Sequence, residues 1–338
     1  MTLSATIRDR LTLPAVCAPM YTVTGPELVH AACAAGVLGV LPFSNAGDEN
    51  TFEQWLTEID DALTELQEAE PRRRVAPTGV NLRMQLPAEV IERTLALCAR
   101  RGVRVIITAG GDPADMAARV HEHGLEIWHD VTSLRFAEKA IAAGVDGLTC
   151  IGAGGGGHSG PIGHLVLVPR IRAMFDGTIT MAGSVSTGAA IRAAEILGAD
   201  LAYMGTRFIA TEESRASADY KRLILEGTSS DLRFTADIAG VPANWMVESM
   251  RLAGLDPQAL PTPTGSGRSY GHLPDTARPW KTVWSAGQGI DLIDDLPTVA
   301  DLVARLRADY VTACRTPDMS DVAADPVVAS RAQPAPLG

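Results

Sequence analysis

The chain has 338 residues, room for one large domain or two ordinary ones, and 46% of them are hydrophobic, ample for a sizeable core. Its formal charge is −11 with no basic stripe, which argues against nucleic acid and against an anionic membrane surface as partners. Five cysteines (Cys17, Cys33, Cys98, Cys150, Cys314) in no C-x-x-C spacing fit reduced thiols in a cytoplasm rather than a disulfide framework.

The first twenty residues hold Arg8, Asp9 and Arg10 and no apolar stretch ahead of a cleavage site, so no export signal is expected. From residue 14 to about 212, short apolar runs alternate with amphipathic ones. PAVCAPM precedes PELVHAACAAG, and VLGVLPF precedes FEQWLTEIDDALTELQEAE. VAPTGVNL then leads into PAEVIERTLALCARRG, VRVIITAG into DPADMAARVHEHG, and LEIWHDV into SLRFAEKAIAAG. VDGLTCI runs into a glycine stretch and VLVPRIRAMFDG, TITMAG into GAAIRAAEILG, and DLAYMGTRF into EESRASADYKRLILEG. Strands that are apolar throughout belong to a parallel sheet covered on both faces. Gly102, Gly124, Gly144 and Gly198 each stand between a helix and the next strand, where a C-cap glycine belongs. Eight such units predict a (β/α)8 barrel, an α/β fold, with an open doubly wound sheet as competitor. The longest apolar run, 28–43, is too short and too interrupted by Gly and Pro to span a bilayer.

The alternation stops after about residue 212. DYKRLILEG and ANWMVESMRLAG read as helices and are followed by a long Pro/Gly-rich loop, so 213–280 is expected to form a small helical cap. The barrel would comprise 1–212 and 281–316, ending in the amphipathic helix PTVADLVARLRADYVTAC, and the aperiodic tail 317–338 is expected to be mobile.

One stretch, IGAGGGGHSGPIGH (151–164), spells G-x-G-x-x-G at Gly152, Gly154 and Gly157. A dinucleotide turn needs a helix opening inside the motif, and Pro161 with Gly163 opposes one. On a barrel the loop instead joins the catalytic rim. There Gly155, Gly156 and Gly157 would leave bare backbone for a flat ligand, and His158 would supply the one functional side chain, an imidazole titrating near neutrality. The next two strand ends read AGSVSTG (182–188) and MGTRF (204–208). Loops after strands 7 and 8 of such barrels hold phosphate through backbone N–H groups. Gly183, Ser184, Gly205 and Thr206 sit where small donors are needed, and Ala182 and Met204 beside them are further cofactor-binding candidates. Arg207 either adds charge there or pairs with a barrel acid. The site suits one phosphomonoester, which favours FMN over a dinucleotide.

These residues carry a resemblance. APM at 18–20, GVNL at 79–82, HDVTS at 129–133, AGGGGHSG at 153–160, AGSVSTG, GADLAYMGTRFIATEES (198–214) and WSAGQG (284–289) stand in the order found in nitronate monooxygenases. The chain is similar to that family, also called 2-nitropropane dioxygenases, over nearly all of 13–312. The resemblance implies an FMN-dependent TIM barrel that oxidises nitronates, and in some cases nitroalkanes, with O2 to a carbonyl compound and nitrite. It places Pro19 and Met20 beside the isoalloxazine, Asn81 at its pyrimidine edge, Gly183, Ser184, Gly205 and Thr206 on the phosphate, and Gln288 near the flavin. His158 matches the histidine that acts as base on neutral nitroalkanes. The chain departs from the family at the Glu and Arg of the glycine motif, and carries Asp130 where some relatives have Lys.

Two other readings stay open: an NAD(P)H-dependent flavin reductase of quinones or enoyl thioesters, and a flavin-binding protein without turnover. No metal is expected, because His121 with His123 and His158 with His164 lack further ligands in spacing. Tyr270 and His272, in the cap's loop, are candidates to close over substrate. The partners expected are a small-molecule substrate and O2, with a homodimer left open.

Overall fold

The computed structural model describes residues 3–263 and 270–315. The tail 317–338 lies outside the described residues. Eight parallel strands form a closed barrel in sequence order: β1 Ala15–Cys17, β2 Leu38–Pro42, β3 Thr78–Asn81, β4 Val105–Ala109, β5 Glu126–Val131, β6 Gly147–Ile151, β7 Thr178–Ala182 and β8 Leu201–Met204. Closure is made by β1 against β8, with Ala15, Val16 and Cys17 opposite Ala202, Tyr203 and Met204. Every residue of β1, β2, β6, β7 and β8 is buried, which is why their sequences are apolar without alternation. The open doubly wound sheet is thereby excluded.

The turns follow the glycines. Gly102, Gly124, Gly144 and Gly198 all adopt positive φ, between 66° and 105°, as helix C-caps before a strand. Inside the barrel Trp128 is fully buried, and a Cβ on Gly147, its register partner on β6, would lie 2.4 Å from the indole. A glycine opposite a tryptophan lets one large side chain fill the interior. The outer ring is completed by the helix Val299–Cys314, which packs on the helix Gly188–Ile196. A Cβ at Gly188 would stand 2.2 Å from the Leu306 carbonyl oxygen.

The segment after β8 differs from the helical cap expected for it. After the helix Ala218–Glu226 come two antiparallel strands, β9 Leu232–Thr235 and β10 Ala243–Met246, then a helix of six residues, Val247–Leu252. ANWMVESMRLAG is therefore strand and then helix. All four residues of β10 are buried, so no polar face betrays its period. The insert has its own core around Ile238, Trp245, Met250, Leu255, Leu273 and Val283.

Cys17, Cys33, Cys98 and Cys150 are buried, and burial pushes Cys33 to about 11 and Cys98 and Cys150 to about 12. They are small core residues. Among the described residues no helix is long and apolar enough to cross a membrane.

Candidate active site

The C-terminal strand ends open into one cavity of about 940 Å³. Asn81, Ala109, Asp130, Ile151, Ala182 and Tyr203, one from each of β3 to β8, form its floor. Pro19, Met20, Gly155, Gly156, Gly157, His158, Gly183, Ser184, Gly205, Thr206 and Tyr270 line it as well, so most of the residues singled out in the sequence converge here. Three do not. Met204 is buried in β8, where its carbonyl accepts from Ala18 N–H. Gln288 contributes backbone, its N–H donating to the Gly154 carbonyl at 3.0 Å, while its neighbours Gly287 and Gly289 line the wall. His272 pairs through Nε2 with the Asp237 carbonyl at 2.6 Å, inside the insert and away from the cavity.

The loop after β1 is fixed by a residue that no motif marked. Asn45 donates through Nδ2 to the carbonyls of Met20 and Thr24, both at 2.9 Å, and its Oδ1 accepts from Thr22 N–H at 3.1 Å. Thr22 is held at φ 65°. One side-chain amide thus reaches three backbone groups of the loop, adding to the Val23 and Thr24 N–H groups that also donate to the Met20 carbonyl. At β3, Asn81 itself donates to the Ile107 carbonyl at 3.1 Å, which orients its amide at the floor.

The glycine run does more than bare the backbone. A Cβ at Gly154 would meet Ser184 Oγ at 1.7 Å, one at Gly156 the Gly287 nitrogen at 2.9 Å, and one at Gly183 the Gly155 nitrogen at 2.7 Å. These glycines let three loops pack backbone to backbone. Gly157 is the open member of the run, with nothing within 4 Å of an added Cβ. From β10, Asn244 donates to the carbonyls of Ala153 and Gly155 at 3.2 and 2.6 Å, and Ser159 Oγ donates to the Gly152 carbonyl at 2.9 Å. His158 is bridged to Ala243 through the backbone, and its ring meets Trp280 edge-on, centroids 5.4 Å apart. Trp280 sits in turn against Trp245 at 5.0 Å. The imidazole is therefore positioned by the insert as much as by the barrel. Neither Asn244 nor Trp280 could be found from the sequence, because Ala153 and His158, their partners, lie 91 and 122 positions away in loops without a shared motif.

At the β7 end, Gly183 (φ 117°) and Ser184 (φ 58°) are successive residues at positive φ, the region that favours glycine. At the β8 end, Gly205 leaves open wall, its added Cβ no nearer than 3.6 Å to Met20 sulfur. Thr206 Oγ1 accepts from Gly287 N–H at 2.8 Å. Arg207 does not serve this arc. It is buried at 3% exposure and pairs with Asp295 at 2.8 Å, the barrel-acid alternative.

Electrostatically the floor and mouth differ. Burial pushes the Asp130 carboxyl up to about 7, with Thr149 pulling the other way, and burial with the Asp130 charge pushes the Tyr203 phenol up. Arg83, Arg278 and Lys281 stand at the mouth against one acid, Asp275, a local excess of positive charge in an acidic chain. Three other histidines pair outside the cavity: His121 bonds Asp146 at 2.8 Å, His123 bonds Glu92 at 3.2 Å, and His129 meets Thr108 at 2.8 Å, its burial lowering it to about 4. No cluster able to hold a metal occurs among the described residues.

The model of the nitronate monooxygenase family matches residues 7–309. The chain belongs to the nitronate monooxygenase family. As a member it is a flavin-dependent oxidoreductase. Among its relatives, nitronate monooxygenase from Paraburkholderia phytofirmans is 31% identical over 212 residues, covering 58% of this chain and 57% of that protein. A second relative, from Rhodococcus jostii, is (3aS,4S,5R,7aS)-5-hydroxy-7a-methyl-1-oxo-octahydro-1H-indene-4-carboxyl-CoA dehydrogenase, 26% identical over 340 residues, 88% of this chain and 92% of that protein. Among solved structures, nitroalkane oxidase from Streptomyces ansochromogenes superposes with a TM-score of 0.71 at 26% identity, covering 92% of this chain and 99% of that one. FabK from Thermotoga maritima, at 22% identity and TM-score 0.68 over 93% and 98%, shares the fold.

Proposed function

We propose that this nitronate monooxygenase family member oxidises small alkyl nitronates with O2, releasing a carbonyl compound and nitrite, and that its flavin is FMN. The observation that carries the reading is His158, held against Trp280 over the same cavity whose wall includes the small-residue arc of Gly183, Ser184, Gly205 and Thr206. The residues fit FMN. The bare surface at Gly157 and Gly205 leaves room for a flat ring, the small residues following β7 and β8 suit one phosphate, and about 940 Å³ lies within the range of cofactor sites. Gly183, Ser184, Gly205 and Thr206 would hold the phosphate, with Pro19, Met20, Asn81 and Ala182 beside the ring; Met204 supports the arc from behind. When bound, the flavin supplies the electron transfer between substrate and O2.

The chain's own residues orient substrate and move one proton. With a neutral nitroalkane, the His158 imidazole takes the α-proton, so that the C–H pair becomes the carbanion delocalised into the nitro group. With a preformed nitronate no proton is taken, and His158 serves only to bind the anion. Leu273, Pro274 and Trp280 present apolar surface that excludes water from the alkyl group. His158→Ala is expected to lower kcat/KM on nitroalkanes at least about 100-fold, and on preformed nitronates less than about tenfold. Nitrite release from both substrate forms, measured on yellow FMN-loaded protein, tests this; equal losses on both remove the general-base role.

A second reading is favoured by the cationic mouth. Arg83, Arg278 and Lys281 suit a polyanionic substrate arm, and the Rhodococcus relative is named for a CoA thioester. Anaerobic mixing with NADH or NADPH separates the two: rapid bleaching of the flavin supports a reductase, none supports the monooxygenase.

A further inference from the structure

One group on the cavity floor has no role in the reading above. Asp130 on β5 is paired in register with Ala109 on β4 and Thr149 on β6, and Thr149 with Thr180 on β7. Register partners share a face. A carboxyl and two hydroxyls therefore make a polar row across a barrel otherwise filled by residues such as Trp128. Asp130 Oδ1, Thr149 Oγ1 and Thr180 Oγ1 are enclosed and have no hydrogen-bond partner among the described residues. The Asp130 side chain nevertheless opens on the cavity.

The groups facing it are Tyr203 from β8, Thr149 from β6 and, on the loop above, His158; Arg83, Arg278, Lys281 and Asp275 stand at the mouth. No cation is paired with it among the described residues. A carboxylate so placed is far costlier than a neutral acid. Burial accordingly holds the group protonated up to about pH 7. A neutral carboxyl has one O–H to donate, and the neighbouring Thr149 hydroxyl, near enough to act on the carboxyl, closes no hydrogen bond with Oδ1.

We infer that Asp130 is a cofactor-binding residue that works as a neutral acid, donating from the cavity floor to an acceptor atom of the bound flavin ring, so that the hold on FMN loosens as the carboxyl ionises. This rests on the FMN reading of the cavity. The phosphate seat proposed above lies on β7 and β8, and β5 is two strands from β7 around the same mouth, so Asp130 lies on the floor of the cavity that a ring tethered to that phosphate would occupy. The isoalloxazine carries its carbonyl oxygens and free ring nitrogens as the acceptors this O–H lacks. Ionised, the same carboxyl would turn lone pairs toward those oxygens and repel them.

The test loads the full-length protein with FMN and measures Kd from flavin fluorescence between about pH 5.5 and about pH 9, for wild type, Asp130→Asn and Asp130→Ala. The wild-type Kd is expected to rise toward tenfold per pH unit above about 7. Asp130→Asn keeps an N–H donor and should stay within about threefold of wild type at low pH, without that rise. Asp130→Ala should lack the rise and bind about tenfold more weakly at low pH. The FMN phosphate, titrating near pH 6, contributes equally to all three curves, so their difference is the readout. Parallel curves for wild type and Asp130→Asn, as an internal water on Oδ1 would give, overturn the inference, as does Asp130→Ala binding like wild type at low pH. Wild-type protein that takes up no FMN at any pH removes the FMN reading and this inference together.

Discussion

Asn244 is the residue whose removal best tests how the site is held. It lies in β10 at 3% exposure and donates to two carbonyls of the glycine loop, Ala153 at 3.2 Å and Gly155 at 2.6 Å. Asn244→Ala strips both carbonyls of a partner. A buried polar group left unsatisfied costs about 1–3 kcal/mol. Gly155 is fully buried and Ala153 half-buried, so the second is partly rescued by water, and the expected loss is about 2–4 kcal/mol. With an unfolding entropy of roughly 0.7 kcal/mol/K for 338 residues, this lowers Tm by about 3–6 °C. The loop also carries Gly157 and His158, so FMN affinity should fall about tenfold. Thermal unfolding of the apoprotein and fluorescence titration with FMN measure the two effects. A Tm within about 1 °C of wild type, with unchanged FMN affinity, would show that the insert does not clamp the loop and would refute the reasoning.

Gly183→Ala combines left-handed strain of about 1–3 kcal/mol with a backbone collision at Gly155, so the variant should lose FMN on gel filtration and melt lower. Gly157→Ala is its counterpart: an added methyl meets no protein atom, so apoprotein Tm should stay within about 1 °C while FMN or substrate affinity falls. Asp130 should weaken the apoprotein at alkaline pH. Its folded value is raised from 3.8 to about 7, so the folded state holds a proton that the unfolded state has lost between those limits, and stability drops as pH rises through them by on the order of 4 kcal/mol. Asp130→Asn should therefore stabilise apoprotein at about pH 8 and make no difference near pH 4 in chemical unfolding; a gain independent of pH would contradict the assignment. Finally, native protein should present one rapidly reacting thiol, Cys314, to an aromatic disulfide reagent, and all five only after denaturation.

The barrel was legible in the sequence because most strands are buried on both faces and the helices before β2, β4, β5, β6 and β8 end on a glycine at positive φ. Both are local properties that a reader of residues can see. The rim was legible for a related reason: Gly155 to His158, Gly183 with Ser184, and Gly205 with Thr206 follow strand ends directly, so their place on the mouth comes with the fold. What escaped was set by contacts between distant segments. The insert reads as helix because β10 is wholly buried and hides its period. His272, a candidate to close over substrate, is bonded to the Asp237 carbonyl, and Gln288, expected near the flavin, donates its backbone N–H to the Gly154 carbonyl. The glycine run was understood only in part. Its spacing pointed to a ligand, whereas the collisions at Gly154 and Gly156, met by that at Gly183 on the neighbouring loop, show that part of it serves the packing of three loops.

The bridge from His158 to Ala243, with the Asn244 amide beside it, means that the eight strands alone do not finish the mouth. The histidine is translated some ninety positions before the strand that seats it. A ribosome-bound chain can thus close its ring of strands while the imidazole still swings unanchored, and competence arrives only with the later hairpin. For anyone grafting this insert onto a sister scaffold, the hairpin and the glycine loop must travel as one piece.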